Sequence, residues 1–320
     1  MHVLIIGAGG MIGARLARLL AARGTLNSHP IDRLTLADIA APPVPPAFTG
    51  QMTSLAADIA TPAAARQLIA GRPDVIFHLA AIVSAQAEAD LDLGYATNLD
   101  GTRALLDAVR AADVCPRLVF ASSTAVFGAP FPAVIPDDFH PTPRSSYGTQ
   151  KAMTELLLND YTRRGFVDGV ALRLPTICIR PGRPNAAASG FYSNILREPL
   201  AGKPANLPVP DTTRHWFASP ASAVAFFDHA AGLTPARIGP NRAINMPGLC
   251  ATVADQIDAL RRAAGQTAVD LITRHPDPAI AAIVNTWPQD FDTARATALG
   301  FTADSSFDQI IAAHLADAAN

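Results

Sequence analysis

A chain of 320 residues, 49% of them apolar, has material for one large core, or for a large and a small one. A formal net charge of -2 and a pI near 6.4 leave no basic field, which excludes nucleic acid and anionic membrane as expected partners. Three scattered cysteines (Cys115, Cys178, Cys250), a short apolar start at Val3-Leu4-Ile5-Ile6 and no window of about 18 uninterrupted apolar residues point to a soluble cytoplasmic protein without a disulfide framework or metal cluster.

Val3 to Ile6 runs into Gly7-Ala8-Gly9-Gly10-Met11-Ile12-Gly13, and Ala14 to Arg23 then reads as a helix. Strand, glycine turn and helix in that order make a phosphate cradle. One glycine permits the tight turn, a second lets a pyrophosphate approach the backbone at the helix N-terminus, and a third lets helix and strand pack closely. The frame here is Gly7, Gly10 and Gly13. The strand Leu34 to Ala37 ends in Asp38, whose carboxylate suits the ribose hydroxyls of an adenine nucleotide and repels a 2'-phosphate, favouring NAD over NADP. Residues 25 to 33 read as an extra loop before that strand, and Pro42, Pro43, Pro45 and Pro46 as a stiff connection after it. Asp58-Ile59 precede a helix beginning near Pro62, so Asp58 either caps that helix or lies near the adenine. Asp74 to Leu79 is a further strand closing with His78-Leu79-Ala80-Ala81. Its small residues let a dinucleotide lie against the backbone, and His78 reads as a packed strand histidine.

A helical region from about 86 to 112 contains Asn98, poorly suited to a helix interior, which either caps a break or holds a kink or a water. The strand Leu118 to Ala121 delivers Ser122-Ser123-Thr124 at its carboxyl end, where open parallel sheets bind ligands. Prolines between 130 and 143 stiffen the loop that follows. Within a helix spanning Ser145 to Arg164, Tyr147 and Lys151 stand four apart and share a face. At about 4 Å and an effective dielectric of about 20, the lysine charge is worth roughly 4 kcal/mol. That is enough to draw a phenol from about 10 to near neutrality and make it a proton acceptor. Val170 to Leu174 is the next strand. Beyond Pro175, residues 175 to 215 read as irregular with one helix from Gly190 to Ala201. A helix over 222 to 231, a short strand from Ala243 to Met246 that could return to the sheet, and helices over Thr252 to Ala264, Pro278 to Thr286 and Phe307 to Ala318 complete the chain. Arg180, Arg183 and Arg214 lie in this last third, and a guanidinium fork is the geometry of choice for a substrate carboxylate.

Taken in order, the strand–glycine turn–helix, Asp38, His78-Leu79-Ala80-Ala81, Asn98, Ser123, and Tyr147 with Lys151 make the chain resemble the extended short-chain dehydrogenase/reductases over nearly its whole length. The resemblance implies an α/β fold, a Rossmann-type doubly wound parallel sheet with a smaller, mainly helical substrate part. Residues 1–174 would bind the dinucleotide, with 215–246 returning to them, and 175–214 and 247–320 would bind substrate. It implies NAD as cofactor, held by Gly7, Gly10, Met11, Ile12, Asp38, Asp58, Ile59, Leu79, Ala80, Ala81, Asn98, Tyr147 and Lys151. It implies Ser123, Tyr147 and Lys151 as the catalytic set, Ser123 lying five residues before Gly128, and Ser84, Ser123, Thr124, Tyr147, Thr176, Arg180 and Asn185 around the substrate. It also implies a homodimer in which the long helices near 86–112 and 145–164 pair across a two-fold axis.

Two departures narrow the activity. Family members that dehydrate nucleotide sugars carry an Asp-Glu pair after the catalytic Ser/Thr, where this chain has Thr124-Ala125, and Thr176 to Ile179 offers none of the asparagine usual in nucleotide-sugar binders. Arg180-Pro181-Gly182-Arg183-Pro184-Asn185 is closer to the family's sugar-acid dehydrogenases of the D-erythronate type. The expected reaction is NAD-dependent oxidation of the 2-hydroxyl of a four-carbon sugar acid. The rivals are a nucleotide-sugar 4-epimerase that retains its NAD, and a regulator that binds NAD without catalysis.

Overall fold

Strands covered on both faces need continuous apolar runs, and β1 (His2–Ile6), buried at every position in the computed structural model, is the first of them. The structure describes residues 1–182 and 188–318. After β1 come α1 (Met11–Arg23), β2 (Thr25–Leu26), β3 (His29–Pro30), β4 (Arg33–Asp38), β5 (Gln51–Ala56), α2 (Pro62–Ile69) and β6 (Val75–His78). The next helical stretch is divided into α3 (Ser84–Ala89), α4 (Leu91–Tyr95), a π-helical turn over Ala96–Asp100, and α5 (Gly101–Ala111). β7 (Arg117–Ser123) ends in a 3-10 turn over Thr124–Val126, and α6 (Ser146–Arg163) leads to β8 (Asp168–Leu174). The remainder holds β9 (Thr176–Ile177), α7 (Gly190–Leu200), β10 (Ala205–Leu207), β11 (Arg214–Ala218), α8 (Pro220–Ala231), α9 (Pro235–Ile238), β12 (Ala243–Asn245), β13 (Leu249–Thr252), α10 (Val253–Val269), β14 (Ile272–Arg274), α11 (Pro278–Val284), α12 (Ala294–Leu299) and α13 (Phe307–Ala318).

Seven strands form one parallel sheet in the order β12-β8-β7-β6-β1-β4-β5. The chain builds outward from β1 to β5 on one side, then returns to β6 and builds outward on the other. The carboxyl ends of β1 and β6 therefore flank the switch point where such sheets bind ligands. One face of the sheet packs on α1 and α8 through Leu16, Leu20, Phe77, Phe226 and Phe227, and the other on α2, α5 and α6 through Leu68, Leu105, Phe120 and Leu158. Each such fully buried side chain contributes roughly 1.5–3 kcal/mol of transfer free energy. A separate core gathers Tyr192, Ile195, Phe217, Ile257, Leu260, Phe307 and Ile310 from α7, β11, α10 and α13.

Several local expectations change. Residues 25–33 are not an open loop, since β2 and β3 pair there as a short hairpin. β5 is half exposed, so it lacks the continuous apolar run that marks its neighbours. Asp58 does not cap α2: Thr61 does, its side chain accepting from the Ala64 N–H, while Asp58 accepts from Ala60 within its own turn. The region 86–112 is not one helix, because Asn98 commits its amide to the Ile82 backbone and to Gln150 and the helix widens to a π turn there. Residues 175–215 contain β9 and β10 as well as a helix, and α10 continues past Ala264 across a kink at Gly265.

The helix that carries Tyr147 begins against the turn that ends β7. Ser145 caps α6 by accepting from the Gly148 N–H at 3.1 Å, and a Cβ on Gly148 would stand 2.1 Å from the Ala125 carbonyl oxygen. Gly148→Ala is therefore expected to force helix and turn apart at a cost of about 1–3 kcal/mol, read as a lower denaturant midpoint. An unchanged midpoint would show that the turn yields freely.

Candidate active site

The cradle at β1 is shaped by missing side chains. Gly7 adopts φ +89°, and a Cβ there would meet the Ala80 nitrogen at 2.5 Å; a Cβ on Gly13 would meet the Gly7 carbonyl oxygen at 2.1 Å. α1 starts at Gly10 without a side-chain cap, which leaves the N–H groups of Met11 and Ile12 in the first turn for a ligand. Asp38 closes β4 and accepts from the Gly9 N–H at 2.8 Å and the Ile39 N–H at 2.7 Å. Gly9, outside the expected glycine frame, thus fixes the carboxylate that would meet a ribose. Leu79 and Ala80 donate to the Ile6 carbonyl, placing the Leu79-Ala80-Ala81 backbone along the crevice. Asp58 is exposed and Ile59 buried, just beyond the end of β5. An NAD fits these residues: glycines where the chain must be approached, a free helix N-terminus, and an acid at the tip of the second central strand.

At the carboxyl end of β7, Ser123 Oγ accepts from the Ala125 N–H at 3.1 Å and is hydrogen-bonded to the Tyr147 side chain. The serine and tyrosine therefore meet. Lys151 is fully buried; its Nζ donates to the Ala121 carbonyl at 2.8 Å, 4.5 Å from the Phe120 ring centroid and 5.5 Å from that of Tyr147. The electrostatics correct the sequence argument. Burial pushes the Tyr147 phenol up to about 12, opposed by the Ser123 hydrogen bond and then by the charge of Arg180; Lys151 is not among its main influences. Burial also pushes Lys151 down to about 7, with Glu155 alone opposing. Desolvation outweighs attraction for both groups because each is removed from water.

Arg180, half buried, is thus brought to the tyrosine, its Nε donating to the Ile177 carbonyl at 3.1 Å and its Nη2 to Ser189 Oγ at 2.6 Å. Thr176 Oγ1 lies 2.6 Å from Nε2 of the buried His215, whose ring stacks on Tyr192 at 5.2 Å. Burial, then the Arg180 charge, push His215 down to about 3, so its imidazole is neutral. Thr124 is buried in the turn after Ser123, and Ser84 is exposed at the start of α3. Arg214 is exposed on β11, near Cys250. Arg183 and Asn185 lie outside the described residues. His78 is buried and neutral, pushed down to about 3 by desolvation and then by Lys151, and it pairs with Thr102 at 2.8 Å.

Sequence reasoning missed Gln150, Glu155, Arg173 and His215. Gln150 joins Asn98 to α6. Glu155, four residues beyond Lys151, accepts from Ser122 Oγ at 2.5 Å and from Arg173 at 2.8 Å in a buried pair. A charged residue inside the apolar strand Val170 to Leu174 was the available signal, since a buried arginine demands a partner. For His215 no local signal exists.

Residues 3–217 match the NAD dependent epimerase/dehydratase family. Over 99% of both chains the sequence is 50% identical to the D-erythronate dehydrogenase of Cupriavidus necator, and it is 45% identical to that of Haemophilus influenzae over 97% of this chain and 98% of the relative. A crystal structure described as the nucleoside-diphosphate-sugar epimerase from Agrobacterium tumefaciens superposes with a TM-score of 0.97 at 56% identity, covering 99% of this chain and 94% of that one. Among the described residues no group of three or more His, Cys, Asp or Glu is placed to hold a metal ion, and no helix is long and apolar enough to cross a membrane.

Because burial disfavours the phenolate, Tyr147 in the ligand-free protein is expected to stay protonated until well above pH 10, with a midpoint near 12. The phenolate absorbance of the protein minus that of Tyr147→Phe measures this directly. A component titrating near neutrality would restore the lysine-lowered phenol.

Proposed function

The chain belongs to the NAD dependent epimerase/dehydratase family, and from that membership we propose that it is an NAD-dependent dehydrogenase converting the 2-hydroxyl of a four-carbon sugar acid of the D-erythronate type to the 2-oxo acid. The observation that carries this reading is the meeting of Ser123 and Tyr147 at the switch-point crevice, in a chain that matches D-erythronate dehydrogenases over its full length. NAD, when bound, supplies the acceptor for the hydride from carbon 2. Gly7, Gly10, Met11, Ile12 and Asp38 would hold it, with Leu79 to Ala81 as the opposite wall and Asn98 supporting that wall through Ile82.

The remaining work falls to the chain's own groups. Ser123 hydrogen-bonds the substrate oxygen as it changes from alcohol to carbonyl. Tyr147, protonated in the ligand-free protein, receives the hydroxyl proton only once it has ionised, and the Ser123 hydrogen bond and the Arg180 charge are the groups on the chain that favour its anion. Lys151, tied to the Ala121 carbonyl, stands 5.5 Å from the centre of the Tyr147 ring and would hold the nicotinamide ribose. Arg180 is the carboxylate anchor in this reading, supported by its charge acting on Tyr147, whereas Arg214 is exposed on β11. Residues 1–174 with 215–246 form the dinucleotide-binding part in this reading, and the core of α7, β11, α10 and α13 belongs to the substrate-covering part.

A second reading is favoured by the description of the Agrobacterium tumefaciens protein: a 4-epimerase that keeps its NAD and releases no NADH. The homodimer is also proposed. Leu91 of α4 and Met153 and Leu156 of α6 expose apolar side chains on neighbouring helices, a surface that a second copy would cover.

In an assay of three- to six-carbon hydroxy acids, net reduction of NAD in preference to NADP is expected with D-erythronate. Epimerisation of a nucleotide sugar without free NADH would favour the rival. Tyr147→Phe is expected to lose at least about a hundredfold in turnover with NAD binding retained, and Arg180→Met to raise KM at least about tenfold. Wild-type values in either variant remove that residue from its role. Sedimentation at twice the 33.4 kDa chain mass is expected, and a monomer at assay concentration would refute the dimer.

A further inference from the structure

We propose that Glu155 is a positioning residue of the site, its buried carboxylate tying the end of β7 to α6 through Ser122 and serving as the counter-charge for Lys151. The proposal rests on the dehydrogenase reading only for what Lys151 does with it. Three elements converge on this carboxylate. From β7, Ser122 donates to Oε1 at 2.5 Å; from β8, Arg173 donates through Nε at 3.0 and 3.1 Å and through Nη2 at 2.8 Å; and Glu155 itself follows Lys151 by four residues on α6. Side-chain exposure of the pair is 4% and 5%, so the interaction is sheltered from screening.

A buried ion pair adds little net stability over an apolar pair of the same volume, so what this one adds is fixed geometry and a placed charge. Ser122 precedes the Ser123 whose hydroxyl must reach Tyr147, so its bond to Glu155 bears on where the end of β7 stands. The charge matters because few other groups face Lys151. On α6 they are Tyr147 and Glu155. From β6 comes His78, which is neutral, and from β7 come the Phe120 ring and the Ala121 carbonyl. On β8, Arg173 lies behind the carboxylate and is also bonded to Asn245 of β12. Among the described residues, Glu155 is the one charged group that opposes the burial pushing Lys151 down to about 7.

The chain contains two lysines, Lys151 and the exposed Lys203, so a protein labelled with carbon-13 at lysine Cε has a two-signal spectrum in which Lys151 is read directly. In the cofactor-free protein the Lys151 midpoint is expected near 7, to fall by about one pH unit or more in Glu155→Gln, and to be largely restored in Glu155→Asp. Turnover should fall about tenfold or more in Glu155→Gln and recover in part in Glu155→Asp. If Glu155→Gln alone fails to fold, combining it with Arg173→Met leaves no unpaired charge, and a fall in the same direction is expected, reduced by the loss of the Arg173 cation. A folded variant without the carboxylate that keeps the wild-type Lys151 midpoint overturns the proposal. If wild-type protein reduces no NAD with any sugar acid, the reaction is wrong, while the lysine titration still decides the role of Glu155.

Discussion

The Ala125 carbonyl occupies the space where a side chain at residue 148 would stand, so α6 can begin against the turn that ends β7 only because glycine is there. From this close approach follow the meeting of Ser123 with Tyr147, the passage of Lys151 beneath the ring to the Ala121 carbonyl, and the reach of Glu155 back to Ser122. A strand and a helix distant in the chain are thus held in register by one missing methyl group, one helix cap at Ser145 and one buried carboxylate. Asn98 and Gln150 do the same on the other side, joining the backbone beyond β6 to α6 and accepting the strain of a π turn to do so.

Electrostatics inside this junction are governed by removal from water more than by attraction between neighbours. A pairwise Coulomb argument for Tyr147 and Lys151 yields roughly 4 kcal/mol at an effective dielectric of about 20. It omits the desolvation that each group undergoes, and that contribution has the opposite sign for the ionised form of both. The tyrosine rises and the lysine falls, so burial favours the neutral phenol and the neutral amine and moves the two groups' affinities for a proton apart. The charges that oppose burial come from elsewhere in the fold, Arg180 for the tyrosine and Glu155 for the lysine.

The same principle separates the cofactor side from the substrate side. At the crevice beside β1 the surface is mostly backbone: glycines that admit close approach, an uncapped helix start, and the half-buried Asp38 held by the Gly9 N–H. Around Arg180 the surface is made of side chains packed into the second core, where a neutral His215 holds Thr176 and stacks on Tyr192. Such a wall is rigid and polar at once, which suits a small hydroxy acid that offers one carboxylate and several hydroxyls.

Read along the chain, the residues determined the class of fold, the glycine cradle, Asp38 at its strand end, the serine at the end of β7, the tyrosine and lysine one helical turn apart, and the return of Ala243 to the sheet. These are short-range features, because glycine tolerance, helical spacing and apolar runs act over a few residues. Tertiary structure decided the rest: that Asn98 sits in a π turn, that Thr61 and not Asp58 caps α2, that Arg180 and not Arg214 stands by Tyr147, and that Glu155 with Arg173 backs the site. Those outcomes depend on which groups lose their water and which distant charges remain near them, and burial is a property of the assembled fold that no local spacing encodes.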